Sequence, residues 1–93
     1  MATKSALVFG GSRGIGAAIV RVLARDGFDV AFTYHASAKA AQDIAAGVAK
    51  ATRDTRIACY PADICAPDAV ATAFTLAERE FGQKPQCVIA NAG

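Results

Sequence analysis

Gly10, Gly14 and Gly16 enclose Ser12 and Arg13, and this short segment is the part of the chain best suited to hold an anion. Glycines lack a Cβ, so the backbone turns sharply there and a ligand reaches the main-chain N–H groups. The apolar run Ala6-Leu7-Val8-Phe9 precedes the glycines, and Ile15-Gly16-Ala17-Ala18-Ile19 follows them. The segment therefore reads as a strand, a turn and the first turn of a helix. A helix start offers unpaired N–H donors and the positive end of a dipole, which together favour phosphate. The spacing is G-x-x-x-G-x-G, not the commoner dinucleotide pattern G-x-G-x-x-G. Gly11 and Gly16 have P-loop separation, but Ala17 stands where the phosphate lysine belongs.

The end of the second apolar run narrows the ligand. A dinucleotide with a free ribose 2′-OH calls for a carboxylate about 20 residues beyond the glycines. That place holds Tyr34, with Thr33 before it and His35 after it, and no Asp or Glu lies between Asp29 and Asp43. Asp29 opens the strand at its opposite end. A carboxylate would repel a 2′-phosphate, whereas Arg13 can pair with one through charge-assisted hydrogen bonds. The pattern points to NADP(H), with Arg13 on the 2′-phosphate and Ser12, Tyr34, His35 and Ser37 as its neighbours. Arg13 also reads as a solvated arginine at a helix start, and His35 as a solvent-facing loop residue.

These residues need a scaffold that brings them to one edge, and the rest of the chain alternates strand and helix to build it. Strands are predicted at Ser5–Phe9, Asp29–Tyr34, Arg56–Pro61 and Gln86–Ala90. Helices are predicted at Arg13–Arg25, Ala38–Ala51 and Pro67–Phe81, with Gly27 and Gly82 closing the first and third. Ile15, Ile19, Val22 and Leu23 form one helical stripe; Ala41, Ile44, Ala45 and Val48 form a second; Val70, Ala73, Phe74, Ala77 and Phe81 form a third. All three stripes read as core. The third helix lacks a Ser or Asp cap at Cys65-Ala66-Pro67, which costs about 1 kcal/mol. A β-α-β-α-β-α-β rhythm calls for an α/β Rossmann-type doubly wound parallel sheet, strand order 3-2-1-4, with right-handed crossovers. Its switch point lies between strands one and four, bordered by the Gly10–Gly16 turn and Asn91-Ala92-Gly93.

Composition excludes other classes of function. The 93 residues are 54% hydrophobic, with a net charge of +2 and both signs scattered, so no nucleic-acid or anionic-membrane surface is indicated. No apolar segment approaches the ~20 residues that span a bilayer. Met1-Ala2-Thr3-Lys4 runs straight into the first strand, leaving no room for a signal peptide. Three widely spaced cysteines (Cys59, Cys65, Cys87) and one histidine argue against a disulfide frame or zinc site and fit a reducing cytoplasm. Cys59 and Cys87 read as small buried hydrophobes.

Ser12-Arg13 within the glycine turn, Asp63-Ile64 after the third strand and Asn91-Ala92-Gly93 after the fourth occur in an order that resembles the short-chain dehydrogenase/reductase family. The likeness runs from Leu7 to Gly93, and the Ser-Arg-Gly-Ile-Gly core is similar to that of 3-oxoacyl-acyl-carrier-protein reductases. It implies that the N–H of Ile15 meets the pyrophosphate and that Gly16 allows the approach. It further implies that Asp63 binds the adenine amino group beside Ile64, and that Asn91, Ala92 and Gly93 lie along the adenosine ribose. Asp63 also reads as a turn or capping residue ahead of Pro67. Two positions depart from the family. Phe9 replaces its threonine before the first glycine, and Ala90 replaces the first of its two asparagines. Both losses are polar to apolar, consistent with a paired replacement that strands no buried donor.

The resemblance also implies a reaction, the interconversion of a carbonyl and a secondary alcohol by a serine and a Tyr-x-x-x-Lys pair. Tyr34 is followed four residues on by Ala38, and Tyr60 by Ile64, so neither makes that pair. No catalytic residue is therefore assigned. The 93 residues are expected to be the amino-terminal cofactor-binding part of one Rossmann domain, the catalytic part lying in a further segment or a second polypeptide. The expected partners are a small carbonyl or alcohol substrate and, for the complete enzyme, three copies of itself. A non-catalytic nucleotide-binding module or a structural fragment is the alternative reading. Strand four would be an apolar sheet edge, so the isolated polypeptide is expected to be marginal or to associate.

Overall fold

Runs rich in Val, Ile, Phe and Tyr, broken by glycine and polar turns, become strands here, and the two central ones are buried on both faces. The computed structural model describes residues 4–10, 14–35, 38–52, 55–62 and 66–90. Its elements are β1 (Ser5–Phe9), α1 (Gly14–Arg25), β2 (Asp29–Tyr34), α2 (Ala38–Ala51), β3 (Ile57–Pro61), α3 (Ala69–Phe81) and β4 (Cys87–Ala90). The strands form one parallel sheet in the order β3-β2-β1-β4. This is the doubly wound Rossmann-type arrangement that the strand–helix rhythm requires.

β1 and β2 carry the centre of the sheet. Every residue of β1 is buried, and β2 is buried from Asp29 to Thr33. Alternate residues feed two cores. Val8, Val30 and Phe32 pack with Val20 and Ala24 of α1 and Ala41 and Val48 of α2 on one face. Leu7, Phe9 and Ala31 pack with Ala73 and Ala77 of α3 on the other. Phe9 also sets its ring against Phe74, centroids 6.3 Å apart.

The edges of the elements depart slightly from the sequence pattern, each for a local reason. β3 starts at Ile57, because the Arg56 N–H donates to Asp29 Oδ1 at 2.8 Å. α3 starts at Ala69, because Ala69 donates to the Ala66 carbonyl at 3.2 Å and leaves Pro67 and Asp68 in a preceding turn. Asp68 is the N-cap, without a side-chain capping bond. β4 begins at Cys87, one residue later than expected.

The helical stripes need a larger correction. In α1 the buried residues are Gly16, Ala17, Val20 and Ala24, while Ile15 is 73% and Val22 52% exposed. The small residues let the helix lie close on the sheet. Ile19 and Leu23 reach the core only at its margin, and Ile15 and Val22 project away from it. Val70 of α3 is likewise exposed, whereas Ala73 and Ala77 are buried. Cys59 and Cys87 are half-buried, not core.

Candidate functional site

A parallel sheet brings all four strand ends to one edge, and that edge is where open α/β sheets take their ligands. β1 delivers Gly10 there, β2 delivers Tyr34 and His35, and β3 delivers Pro61 and Ala62. β1 lies between β2 and β4, so the glycine turn leaves the sheet at its topological centre.

Gly10 and Gly14 both have left-handed backbone, with φ of 80° and 60°. This is the conformation that glycine adopts without steric penalty. A Cβ at Gly14 would meet nothing within 4 Å, so backbone conformation alone selects glycine there. α1 then begins at Gly14, with no acidic residue in its first turn to oppose an anion. Ile15 is exposed beside the buried Gly16, leaving this end of the helix accessible.

Tyr34 is half-buried and packs at the margin of the core shared with α1 and α2. Its carbonyl accepts the Ala62 N–H at 2.8 Å, which joins the ends of β2 and β3. His35 is exposed at the start of the following bend. The structure thus gathers Gly10, Gly14, Ile15, Gly16, Tyr34 and His35 around the strand ends and α1. Ser12, Arg13, Ser37, Asp63, Ile64, Asn91, Ala92 and Gly93 lie outside the described residues.

Thr33 is the residue that pattern reading passed over. It is 1% exposed, and its Oγ1 accepts the Gly10 N–H at 3.0 Å. The available signal was a hydroxyl in an otherwise apolar buried strand, one residue before the strand ends. At the opposite edge, Asp29 is buried and occupied with the Arg56 N–H, so it is structural, in keeping with its place at the start of β2.

Two groups away from the edge have displaced pKa values. Burial, then the Glu80 charge and hydrogen bond, push Tyr60 up to about 12. Its hydroxyl lies 3.4 Å from both the Leu76 carbonyl and Glu80 Oε1. Burial also raises the Cys59 thiol.

A groove of about 280 Å³ between α1 and α2 is lined by Arg21, Arg25, Asp43 and Thr52. It sits by the C-terminal ends of both helices, whose negative dipole ends oppose the anion its arginines would attract. The glycine turn is the better site despite that groove's volume. Among the described residues no group of three His, Cys, Asp or Glu could hold a metal. No described helix is long and apolar enough to cross a membrane.

Known proteins share this arrangement. A short-chain dehydrogenase/reductase from Serratia marcescens superposes with a TM-score of 0.90 at 43% identity, over 97% of this chain and 36% of that one. A short-chain dehydrogenase from Burkholderia cenocepacia, solved in complex with NADP, superposes at 0.79 with 48% identity, over 85% of this chain and 31% of that one. The acetoacetyl-CoA reductase of Paracoccus denitrificans is 39% identical over 88 residues, which is 95% of this chain and 33% of the reductase. The chain spans about a third of the length of each of these proteins. The short chain dehydrogenase profile matches residues 4–93, with the glycine turn, the strand order and the strand-end edge all inside the matched span. The chain belongs to the short-chain dehydrogenase family.

Proposed function

We propose that these residues are the amino-terminal NADP(H)-binding part of an oxidoreductase that interconverts a carbonyl and a secondary alcohol. The observation that carries this reading is the left-handed backbone of Gly10, at the strand-end edge of the sheet, and of Gly14, where α1 starts free of acidic residues. A pyrophosphate fits that chemistry, and the Ile15 N–H in the first turn of α1 would donate to it. Gly16, being without a side chain, leaves the approach clear.

The preference for a 2′-phosphate rests on Tyr34 and His35, which put no carboxylate at the end of β2, and on Arg13 as the pairing cation. The NADP complex of the Burkholderia relative supports the same choice. Asp63 and Ile64 would hold the adenine, and Asn91, Ala92 and Gly93 the ribose. The bound nicotinamide supplies the hydride. The residues named above would hold the pyrophosphate and the adenosine end, while the serine and the Tyr-x-x-x-Lys pair would come from a further segment or second polypeptide. The full assembly is proposed to be a cytoplasmic homo-tetramer acting on a small-molecule substrate.

Calorimetric titration with NADPH and NADH tests the cofactor assignment. Hydrogen bonds to a charged group contribute about 1.5–3 kcal/mol, so Arg13→Ala should weaken NADPH binding about 10- to 100-fold and leave NADH little changed. Equal affinity of the unaltered protein for the two cofactors would sink the assignment. Turnover of carbonyl substrates by the full assembly separates an enzyme from a non-catalytic nucleotide-binding module.

A further inference from the structure

The first turn of the glycine loop is held differently on its two sides. Toward β4, Phe9 stands opposite the apolar Ala90 in the β1–β4 register, and toward α3 its ring packs on Phe74. Toward β2, the contact is polar: the Gly10 N–H donates to Thr33 Oγ1 at 3.0 Å. Thr33 is 1% exposed and Gly10 half-buried, so water competes less for that bond than at an open surface. Gly10, with φ of 80°, sets the direction in which the chain leaves β1. A hydroxyl anchored in the central pair of strands therefore fixes the residue that aims the loop.

We infer that Thr33 is a positioning residue for dinucleotide binding, acting through Gly10 to hold the glycine turn ready for the pyrophosphate. Thr33 touches no ligand in this role. Its hydroxyl keeps a partly buried main-chain donor paired where Gly10 adopts left-handed backbone, so less binding energy is spent on ordering the start of the loop. The inference rests on reading the turn as a dinucleotide cradle. It also gives the Phe9 and Ala90 replacements a context: with the β4 side apolar, the polar tie of the turn comes from β2.

The test compares Thr33→Val, which keeps the shape and removes the hydroxyl, with Thr33→Ser, which keeps the hydroxyl. NADPH affinity and hydrogen exchange at the Gly10 amide are measured for both. Thr33→Val should bind NADPH about tenfold more weakly and exchange Gly10 faster, while the Phe32 amide stays protected. Thr33→Ser should restore affinity and protection. Unchanged affinity in a folded Thr33→Val would overturn the positioning role while leaving the cradle intact. Failure of the unaltered protein to bind either NADPH or NADH would remove the cradle and the inference together. Should Thr33→Val not fold, a Gly10 amide that exchanges as fast as an exposed one in the unaltered protein overturns it equally.

Discussion

Tyr60 shows how a single side chain acquires a pH dependence that its position in sequence does not announce. Its hydroxyl is drawn between Leu76 and Glu80 of α3, and burial plus the neighbouring carboxylate hold its pKa at about 12 against an ordinary 10.0. Below pH 10 both folded and unfolded chains keep the phenol protonated. Above it the unfolded chain loses the proton first, so it binds fewer protons and stability falls as pH rises toward 12. Thr33 and Asp29 belong to the same scale. Each is a polar residue in a buried strand, satisfied by one main-chain N–H, from Gly10 and Arg56 respectively. Denaturant unfolding from pH 9 to 12 should show a loss of stability that Tyr60→Phe makes shallower. An equal slope in both proteins would show that the Tyr60 pKa is not raised in the folded chain.

Elements succeed here through what they leave small. α1 meets the sheet with Gly16, Ala17, Val20 and Ala24, which allow close approach; the larger Ile15 and Val22 would hold it off. The junction into that helix depends on Gly14 at φ 60°, in space open enough for a methyl group. Left-handed backbone costs an L-residue about 1–2 kcal/mol. Gly14→Ala should therefore lower the unfolding free energy by roughly that amount, with the denaturant slope unchanged. A neutral substitution would mean that the junction is not left-handed in solution. Helix periodicity located α1, α2 and α3 and most of their limits, because 3.6-residue spacing is a local property. It misassigned the inner face of α1, since four apolar residues at helical spacing indicate a stripe but not which neighbour covers it.

The whole sheet is asymmetric. β1 and β2 are covered on both faces, by α1 and α2 on one side and α3 on the other, whereas β4 is partly open, with Val88 43% exposed. Among the described residues β4 pairs only with β1. Ile15, Val22 and Val88 are thus exposed apolar groups among the described residues. An apolar strand with one free row of main-chain donors and acceptors invites pairing. The isolated polypeptide should sediment with a weight that rises with concentration, and Val88→Lys should reduce that rise. A monomer at all concentrations would count against an open edge at β4.

The sequence by itself determined the α/β alternation, the parallel order 3-2-1-4 and the place of the glycines after the first strand, where Gly10 and Gly14 have left-handed backbone. Those follow from short-range patterns: apolar runs, helical spacing and glycines where the backbone must turn. It also marked Phe9 and Ala90 as a matched pair of departures, and the sheet register sets them opposite one another. Only the tertiary structure decided which side of α1 is core, that Thr33 reaches Gly10 across 23 residues of chain, and that burial and then Glu80 raise the Tyr60 pKa. Each of these depends on which strand lies beside which and on how far water is excluded between them. Such contacts are made by chain segments distant in sequence, and no local spacing encodes them.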